Sequence, residues 1–381
     1  MSIKLYSKWS HIPAIAFCDS VRDGTHDSPK LLDSGYPLIT SKSLKMGMVN
    51  LETSNLISKA DFEEINRRSK VDQWDVLFSM IGTVGEVSLV KEEEPGYAIK
   101  NIGLFKCKNE IKAKWLFYWF VNPQTKTSIK QVLRGSSQQY IPLGELRQLP
   151  ISMPSEPRIM RRVVDILSTY DDLIENNRRR MGLLEDAARQ VYQEWFVRLR
   201  FPGCEHTRIV DGVPEGWQRK TLGNCVTLNY GKALKADTRI DGPFPVYGSS
   251  GIVGRHEKAL VEGPGIIVGR KGNVGSIFWS SKNFYPIDTV YFISAESSNL
   301  YLYYALKGMH FISTDVAVPG LNRNFAYSRQ LLIPAKSIMR SFLEVVTPMQ
   351  EQSEKLEEMN QKLRTARDLL LPKLMSGELT V

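Results

Sequence analysis

Two stretches of this chain repeat one another in order, and that limits what it can fold into more than any other feature. Trp9 and Trp217 stand 208 residues apart, as do Tyr36-Pro37 and Phe244-Pro245. Gly82-Thr83-Val84-Gly85 returns as Gly272-Asn273-Val274-Gly275 at a shift of 190. The aromatic run Trp115-Leu116-Phe117-Tyr118-Trp119 matches Leu300-Tyr301-Leu302-Tyr303-Tyr304 at 185. Arg147-Gln148-Leu149 matches Arg329-Gln330-Leu331 at 182, and Ile159-Met160-Arg161 matches Ile338-Met339-Arg340 at 179. The shift shrinks steadily, as it does when a second copy has shorter loops. A repeat of this length predicts two similar folded units, and 381 residues suffice for two or three cores.

Each copy reads as a mixed globular part followed by a long helix, an α+β arrangement with an internal pseudo-twofold repeat. The predicted boundaries are 1–154 and 201–334 for the globular parts, and 155–200 and 335–381 for the helical ones. Asp75-Val76-Leu77-Phe78 leads through its Gly-bounded turn into Val87-Ser88-Leu89-Val90, and Gly265-Ile266-Ile267-Val268 into Ser276-Ile277-Phe278-Trp279. Both pairs read as β-hairpins. Gly263-Pro264-Gly265 and Gly269-Arg270-Lys271-Gly272 read as hairpin turns, since neither has P-loop spacing.

The first helix is expected over about 155–197, closed by Arg200-Phe201-Pro202-Gly203. Its seam runs Ile159, Val163, Ile166, Tyr170, Leu173, Asn177, Met181, Leu184, Ala188, Val191, Trp195. The second shows a capping box at Thr347-Pro348-Met349-Gln350, which implies a short preceding helix or a kink, and Leu371-Pro372 is expected to close it. Its seam is Phe342, Val345, Met349, Gln352, Leu356, Met359, Leu363, Ala366, Leu370. Stripes this regular need a facing helix, and the simplest partner is the helix of the other copy. Asn177 and Gln352 interrupt the seams where a polar side chain fixes register. The alternative is a pair of ordinary amphipathic helices on a core.

No apolar run is long enough to span a membrane, and Met1-Ser2-Ile3-Lys4 lacks the apolar core of a secretory signal. Cys18, Cys107, Cys204 and Cys225 are scattered singly, which fits a reducing cytoplasm better than a disulfide framework or cysteine zinc site. The five histidines show no ligand spacing, so no metal site is expected. Asn122-Pro123-Gln124-Thr125 lacks the Pro-aromatic pair with which amino-methyltransferases clamp a flipped base, and no paired-carboxylate nuclease pattern stands out. The chain reads as non-catalytic.

The net charge is +9, and it is unevenly spread. Residues 1–154 carry 20 Lys/Arg against 16 Asp/Glu and residues 201–334 carry 14 against 10, while the helical segments are near neutral. A basic excess on the globular parts points to a polyanion, most often nucleic acid. Base edges are read by polar and basic loop side chains. In the first copy these are Ser41, Lys42, Ser79, Thr83, Arg134, Ser136, Gln138 and Gln139. In the second they are Ser249, Ser250, Arg255, Arg270, Lys271, Asn273, Arg323 and Asn324. Ser137-Gln138-Gln139 and Asn322-Arg323-Asn324 are taken as corresponding loop tips that differ between the copies. The aromatic runs are read as helix packing rather than as stacking platforms for single strands.

The chain resembles the specificity subunit of type I restriction–modification systems along nearly its whole length. The resemblance rests on Tyr170-Asp171-Asp172-Leu173-Ile174-Glu175-Asn176-Asn177-Arg178-Arg179-Arg180, Glu194-Trp195-Phe196-Val197 and Arg200-Phe201-Pro202-Gly203. It rests also on Val213-Pro214-Glu215-Gly216-Trp217, Val268-Gly269-Arg270-Lys271-Gly272 and the closing Arg367-Asp368-Leu369-Leu370-Leu371-Pro372-Lys373-Leu374-Met375-Ser376-Gly377-Glu378-Leu379. Asp23-Gly24-Thr25-His26 and Ile81-Gly82-Thr83-Val84-Gly85 also look like that family.

The resemblance implies two target recognition domains, separated by two long helices packed as an antiparallel coiled coil. Each domain would read half of a bipartite, asymmetric double-stranded DNA site. The helices would set the spacer and dock two methyltransferase subunits, with Tyr170, Leu173, Asn177, Met181, Leu184, Met349, Gln352, Leu356, Met359 and Leu363 as coiled-coil or subunit-interface residues. S-adenosylmethionine, ATP and Mg²⁺ are then expected on partner methyltransferase and restriction subunits, and no cofactor on this chain. The competing readings are a coiled-coil adaptor without DNA reading and a self-contained DNA modification enzyme.

Overall fold

A computed structural model describes residues 9–45, 47–311 and 320–381, so Met1-Ser2-Ile3-Lys4 lies outside the described residues. The chain forms two compact units, 1–177 with 358–381, and 178–357. Both boundaries fall inside the long helices, Pro157–Tyr192 and Lys336–Ser376.

The repeat predicted from sequence is present in three sheets of each copy. The first unit has a four-stranded antiparallel sheet in the order Ser20–Asp23, Ile102–Lys106, Asp75–Ser79, Val87–Leu89. The second has the same order with Asn229–Tyr230, Val290–Ile293, Gly265–Gly269, Ile277–Ser280. A three-stranded sheet with one antiparallel and one parallel pairing recurs as Asn55–Ile57, Tyr36–Ile39, Ala98–Ile99 and as Gly251–His256, Phe244–Gly248, Tyr285–Pro286. A two-stranded ribbon recurs too, Trp9–Pro13 with Pro150–Pro154 and Gln218–Thr221 with Gln330–Ile333.

Both expected hairpins form. Their turns share the same bonds: Val84 N donates to Gly82 O at 3.0 Å and Val274 N to Gly272 O at 2.9 Å. Gly82 and Gly272 sit at φ +80° and +78°, a conformation glycine adopts without a Cβ penalty. Gly269–Gly272 is a hairpin turn as expected. Gly263-Pro264-Gly265 is not: it feeds the strand Gly265–Gly269 from a bend held by Asn283, whose Oδ1 accepts from Gly263 N at 3.0 Å.

The fall in shift from 208 to 190 has two sources. Strand register equates Ile57 with His256 at a shift of 199, so half of the fall lies in the longer connection before Asn55–Ile57 and half after that strand. The first copy inserts the helix Lys59–Ser69, capped by Ser58, whose Oγ accepts from Asp61 N at 3.1 Å. Its Phe62 stacks on Tyr36 at 4.4 Å and closes a small core with Leu38, Ile57 and Ala98. The aromatic runs lie in the buried helices Glu110–Val121 and Leu300–Lys307, each capped by an asparagine (Asn109, Asn299). They are core, as read from sequence; Trp115 is fully buried and its Nε1 donates to Ser152 O at 2.9 Å.

The first long helix ends in a π-helical turn, Gln193–Val197, and Leu199 in the left-handed region completes the stop. The second departs from expectation at both ends. It begins at Lys336, so Thr347-Pro348 is interior rather than a cap, and it runs through Pro372 to Ser376, where Gly377 at φ +76° ends it. An interior proline loses one backbone bond. Burial offsets that loss here: Val346 and Met349 flank Pro348 on the second core, and Leu371, Leu374 and Met375 flank Pro372 in the first.

The seam is also shifted in part. Asn177 and Leu356 are buried, while Tyr170, Met181, Leu184, Met349, Gln352 and Leu363 are half-buried. Leu173 and Met359, both expected inside, are 45% and 54% exposed, and Val345 is 40% exposed. Ile174, Asn360 and Val346 take the inward places one residue later. Where two apolar residues adjoin, as at Leu173-Ile174, period alone does not choose between them. At 359–360 the polar residue goes inside because it has a partner there. Asn177 Nδ2 donates to Asn360 Oδ1 at 2.9 Å. Asp171 pairs with Arg367 and accepts from Tyr118 OH at 2.7 Å. As one helix ascends in number the other descends, so they run antiparallel.

Candidate nucleic-acid interface

The two hairpin turns and the loops leaning on them gather most of the candidate readers within each copy. Thr83 is exposed at the tip of the first turn, and Asn273 holds the same place in the second. Behind them lie Ser41, near Gly82, and Ser249, near Gly272, in loops that follow corresponding strands. Lys42 and Ser250 are exposed beside these, and Asn273 Nδ2 donates to Ser250 Oγ at 3.5 Å.

Two predicted readers are spent on the fold. Ser79 is fully buried; its Oγ accepts from Glu86 N at 2.9 Å and donates to Thr83 O, bracing the turn. In the second copy the brace comes from across the hairpin, Ser276 Oγ donating to Asn273 O at 2.9 Å, and the place of Ser79 is Gly269. Ser249 is likewise buried against the turn, its Oγ accepting from Asn273 N at 3.4 Å. Neither hydroxyl is presented to a groove.

In the first copy Arg134 and Tyr140 exchange two backbone bonds of 2.9 Å, closing a loop that displays Ser136, Gln138 and Gln139 to solvent. Ile141 N donates to Met80 O at 3.0 Å, tying that loop to the turn. Arg134 is ion-paired with Glu145 at 2.7 Å, which reduces its charge as a reader. The matching bond in the second copy is Leu321 N to Arg270 O at 2.8 Å. It corrects the expected pairing of loop tips. Asn322-Arg323 corresponds to Pro142-Leu143, where short helices begin, and the counterpart of Ser136–Gln139 falls within 312–319, outside the described residues.

The second copy carries a group that sequence reading only half found. The Arg270 guanidinium lies 5.3 Å from the Tyr230 ring and 5.8 Å from Tyr291, and Arg323 lies 5.2 Å from Tyr230 and 6.0 Å from Tyr327. Arg270 Nε and Nη2 donate to Asp288 O at 3.3 and 2.8 Å. Burial, then the neighbouring Tyr230 hydroxyl, push the Tyr291 phenol up to about 12 against the pull of both arginines. It stays protonated at neutral pH and donates to Leu321 O at 3.1 Å. Lys271 and Asn324 are exposed nearby in sequence, and Arg255 donates to Pro243 O at 2.9 Å.

Tyr230 was missed, yet strand register equates it with Asp23, and Tyr230-Gly231 with Asp23-Gly24 at a shift of 207. Adding that pair to the repeat would have exposed it. At this place the first copy is acidic. Asp23 holds Arg68 and His26, the latter at 3.0 Å, and His26 Nδ1 meets Asn101 Oδ1 at 2.7 Å.

Among the described residues no His/Cys/Asp/Glu group is placed to hold a metal ion, and no helix is long and apolar enough to cross a membrane. The type I restriction modification DNA specificity domain model matches residues 26–185 and 214–336. The chain is 24% identical to the MjaIX specificity subunit of Methanocaldococcus jannaschii, over 72% of this chain and 71% of the relative. It is 22% identical to the HindI specificity subunit of Haemophilus influenzae, over 82% and 88%. The crystal structure of a type I restriction–modification S subunit from M. genitalium superposes with a TM-score of 0.58 at 17% identity, covering 98% of each chain. With two copies of the domain over most of its length, and the fold to match, the chain belongs to the type I restriction–modification DNA specificity family.

Proposed function

We propose that this chain reads one bipartite, asymmetric sequence in double-stranded DNA, each globular part taking one half-site, and leaves catalysis to its partners. The recognition domains are residues 1–154 and 201–334. The long helices, 155–200 and 335–381, fix the unread spacer and dock two methyltransferase subunits, which bind S-adenosylmethionine. Restriction subunits, with ATP and Mg²⁺, complete the assembly. Exposed apolar side chains on the helices, Leu173, Leu183, Met359 and Leu369, support docking there.

One observation carries the reading: equivalent places on two copies of one framework hold unlike side chains, Met80 against Arg270 and Asp23 against Tyr230. The shared framework suits the shared geometry of B-DNA, and the unlike side chains make the halves differ in sequence. Half-sites read from one face lie about one helical turn, ~34 Å, apart.

The test is to sequence methylated adenines in cells with and without the chain. A single two-part motif should depend on it, and scrambling either half should abolish methylation. Indifference to one half would refute the reading. Binding by the chain with its methyltransferase partner should fall steeply with salt, because phosphate contacts release counterions.

A further inference from the structure

We propose that Arg323 reads a guanine in the half-site taken by the second copy, with Tyr230 and Arg270 as positioning residues. This rests on the reading above and adds to it the base and the side chain that selects it.

Two arginines flank one half-exposed tyrosine, and among the described residues neither forms an ion pair. Two neighbouring cations with no carboxylate paired to them among the described residues suit an acceptor from outside, and DNA offers phosphates and guanine edges. The hydrogen bonds already made separate the roles. Arg270 gives Nε and Nη2 to the Asp288 carbonyl, so what remains suits a single contact. Among the described residues Arg323 gives its guanidinium to no acceptor, so the whole planar fork is available. That fork matches O6 and N7 of guanine in the major groove.

The backbone aims it. Arg323 is the first residue of the helix Arg323–Tyr327, and Asn322 caps that helix by accepting from Asn324 N at 2.9 Å and Phe325 N at 3.2 Å. Leu321, just before, is bonded to Arg270 O and to the Tyr291 hydroxyl. The hairpin turn, the Tyr291 strand and the short helix therefore hold one another, and the Tyr230 and Tyr327 rings lie beside the Arg323 guanidinium. The first copy has Met80, Leu143 and Asp23 in the corresponding places, so this guanine contact belongs to one half-site only.

The experiment compares the wild-type chain with Arg323→Ala, Arg323→Lys and Tyr230→Leu, each assembled with its methyltransferase partner. Binding is competed against duplexes varied one base pair at a time. The wild type should require guanine at one position of one half. Arg323→Ala should relax that preference about tenfold or more and leave the other half unchanged, which also certifies folding. Arg323→Lys should not restore it, since a lysine cannot make the paired contact. Tyr230→Leu should relax the same position less. A uniform loss of affinity with Arg323→Ala, a salt slope lower by about one and rescue by lysine would make Arg323 a phosphate contact and overturn the proposal. So would an unchanged preference in Arg323→Ala. A wild-type chain indifferent to sequence would instead defeat the proposed function itself.

Discussion

Asn177 and Asn360 face each other in the interior of the first unit, and their amides make one bond of 2.9 Å with Asn360 Nδ2 left over. A buried amide that loses its partner keeps its desolvation cost without the compensating bond. Asn177→Leu should therefore lower stability by about 1–3 kcal/mol, seen as an earlier denaturant midpoint. Asn177→Leu with Asn360→Leu should recover most of that loss, because an apolar pair leaves nothing unpaired. A single mutant as stable as the wild type would mean that the pair contributes nothing to the fold. Half of this pair was legible, since Asn177 interrupts its stripe. Asn360 was not, because neighbouring Met359 is the more apolar of the two and only the facing asparagine makes the polar choice correct. Tyr230 was hidden for the opposite reason: an aromatic in a short β-run reads as core until the repeat aligns it with Asp23.

Among the elements, the second long helix shows how tertiary packing overrides a local stop signal. Thr347-Pro348-Met349-Gln350 has every mark of a helix start, yet the helix is already eleven residues old when it reaches Thr347. The signal is real as local chemistry. It loses because burial holds the helix on both sides of the proline: Phe342 and Val346 ahead of it are fully buried in the core that contains Tyr192 and Phe196, and Met349 behind it packs on that same core. An interior proline still costs a backbone bond, about 3 kcal/mol in an unconstrained helix. Pro348→Ala should thus raise the stability of the second unit by some fraction of that, on the order of 1–2 kcal/mol. A fall in melting temperature would show that Pro348 is required by its surroundings. The hairpins were read correctly because β-rich runs and Gly-bounded turns are local. The brace within each turn was not, since Ser79 and Ser276 do one job from opposite strands.

For the molecule as a whole, the repeat was the most legible feature, but the way the chain divides was not. Sequence order suggests domain, helix, domain, helix; instead each compact unit takes its globular part together with a portion of both long helices. The reason is burial. Met160, Val163, Val164 and Leu167 of the first helix share a core with Leu371, Leu374 and Met375, residues that sequence places at the far end of the chain. In the second unit Ala188, Tyr192 and Phe196 pack in the same way with Phe342 and Val346. Neither globular part completes its core from contiguous sequence, so the chain's last segment acts as a structural part of its first domain. Ending the chain after Glu357 removes Leu371, Leu374 and Met375, each worth about 1.5–3 kcal/mol when fully buried, along with the Arg367 partner of Asp171. Losses of that size compare with the whole stability of a domain. The truncated chain should therefore lose amide protection across residues 157–177 and the sheet beneath them, while 178–357 exchanges as in the full chain. Equal loss in both units would mean that they fold as one. No loss in the first would mean that the C-terminal segment only rests on a core complete without it.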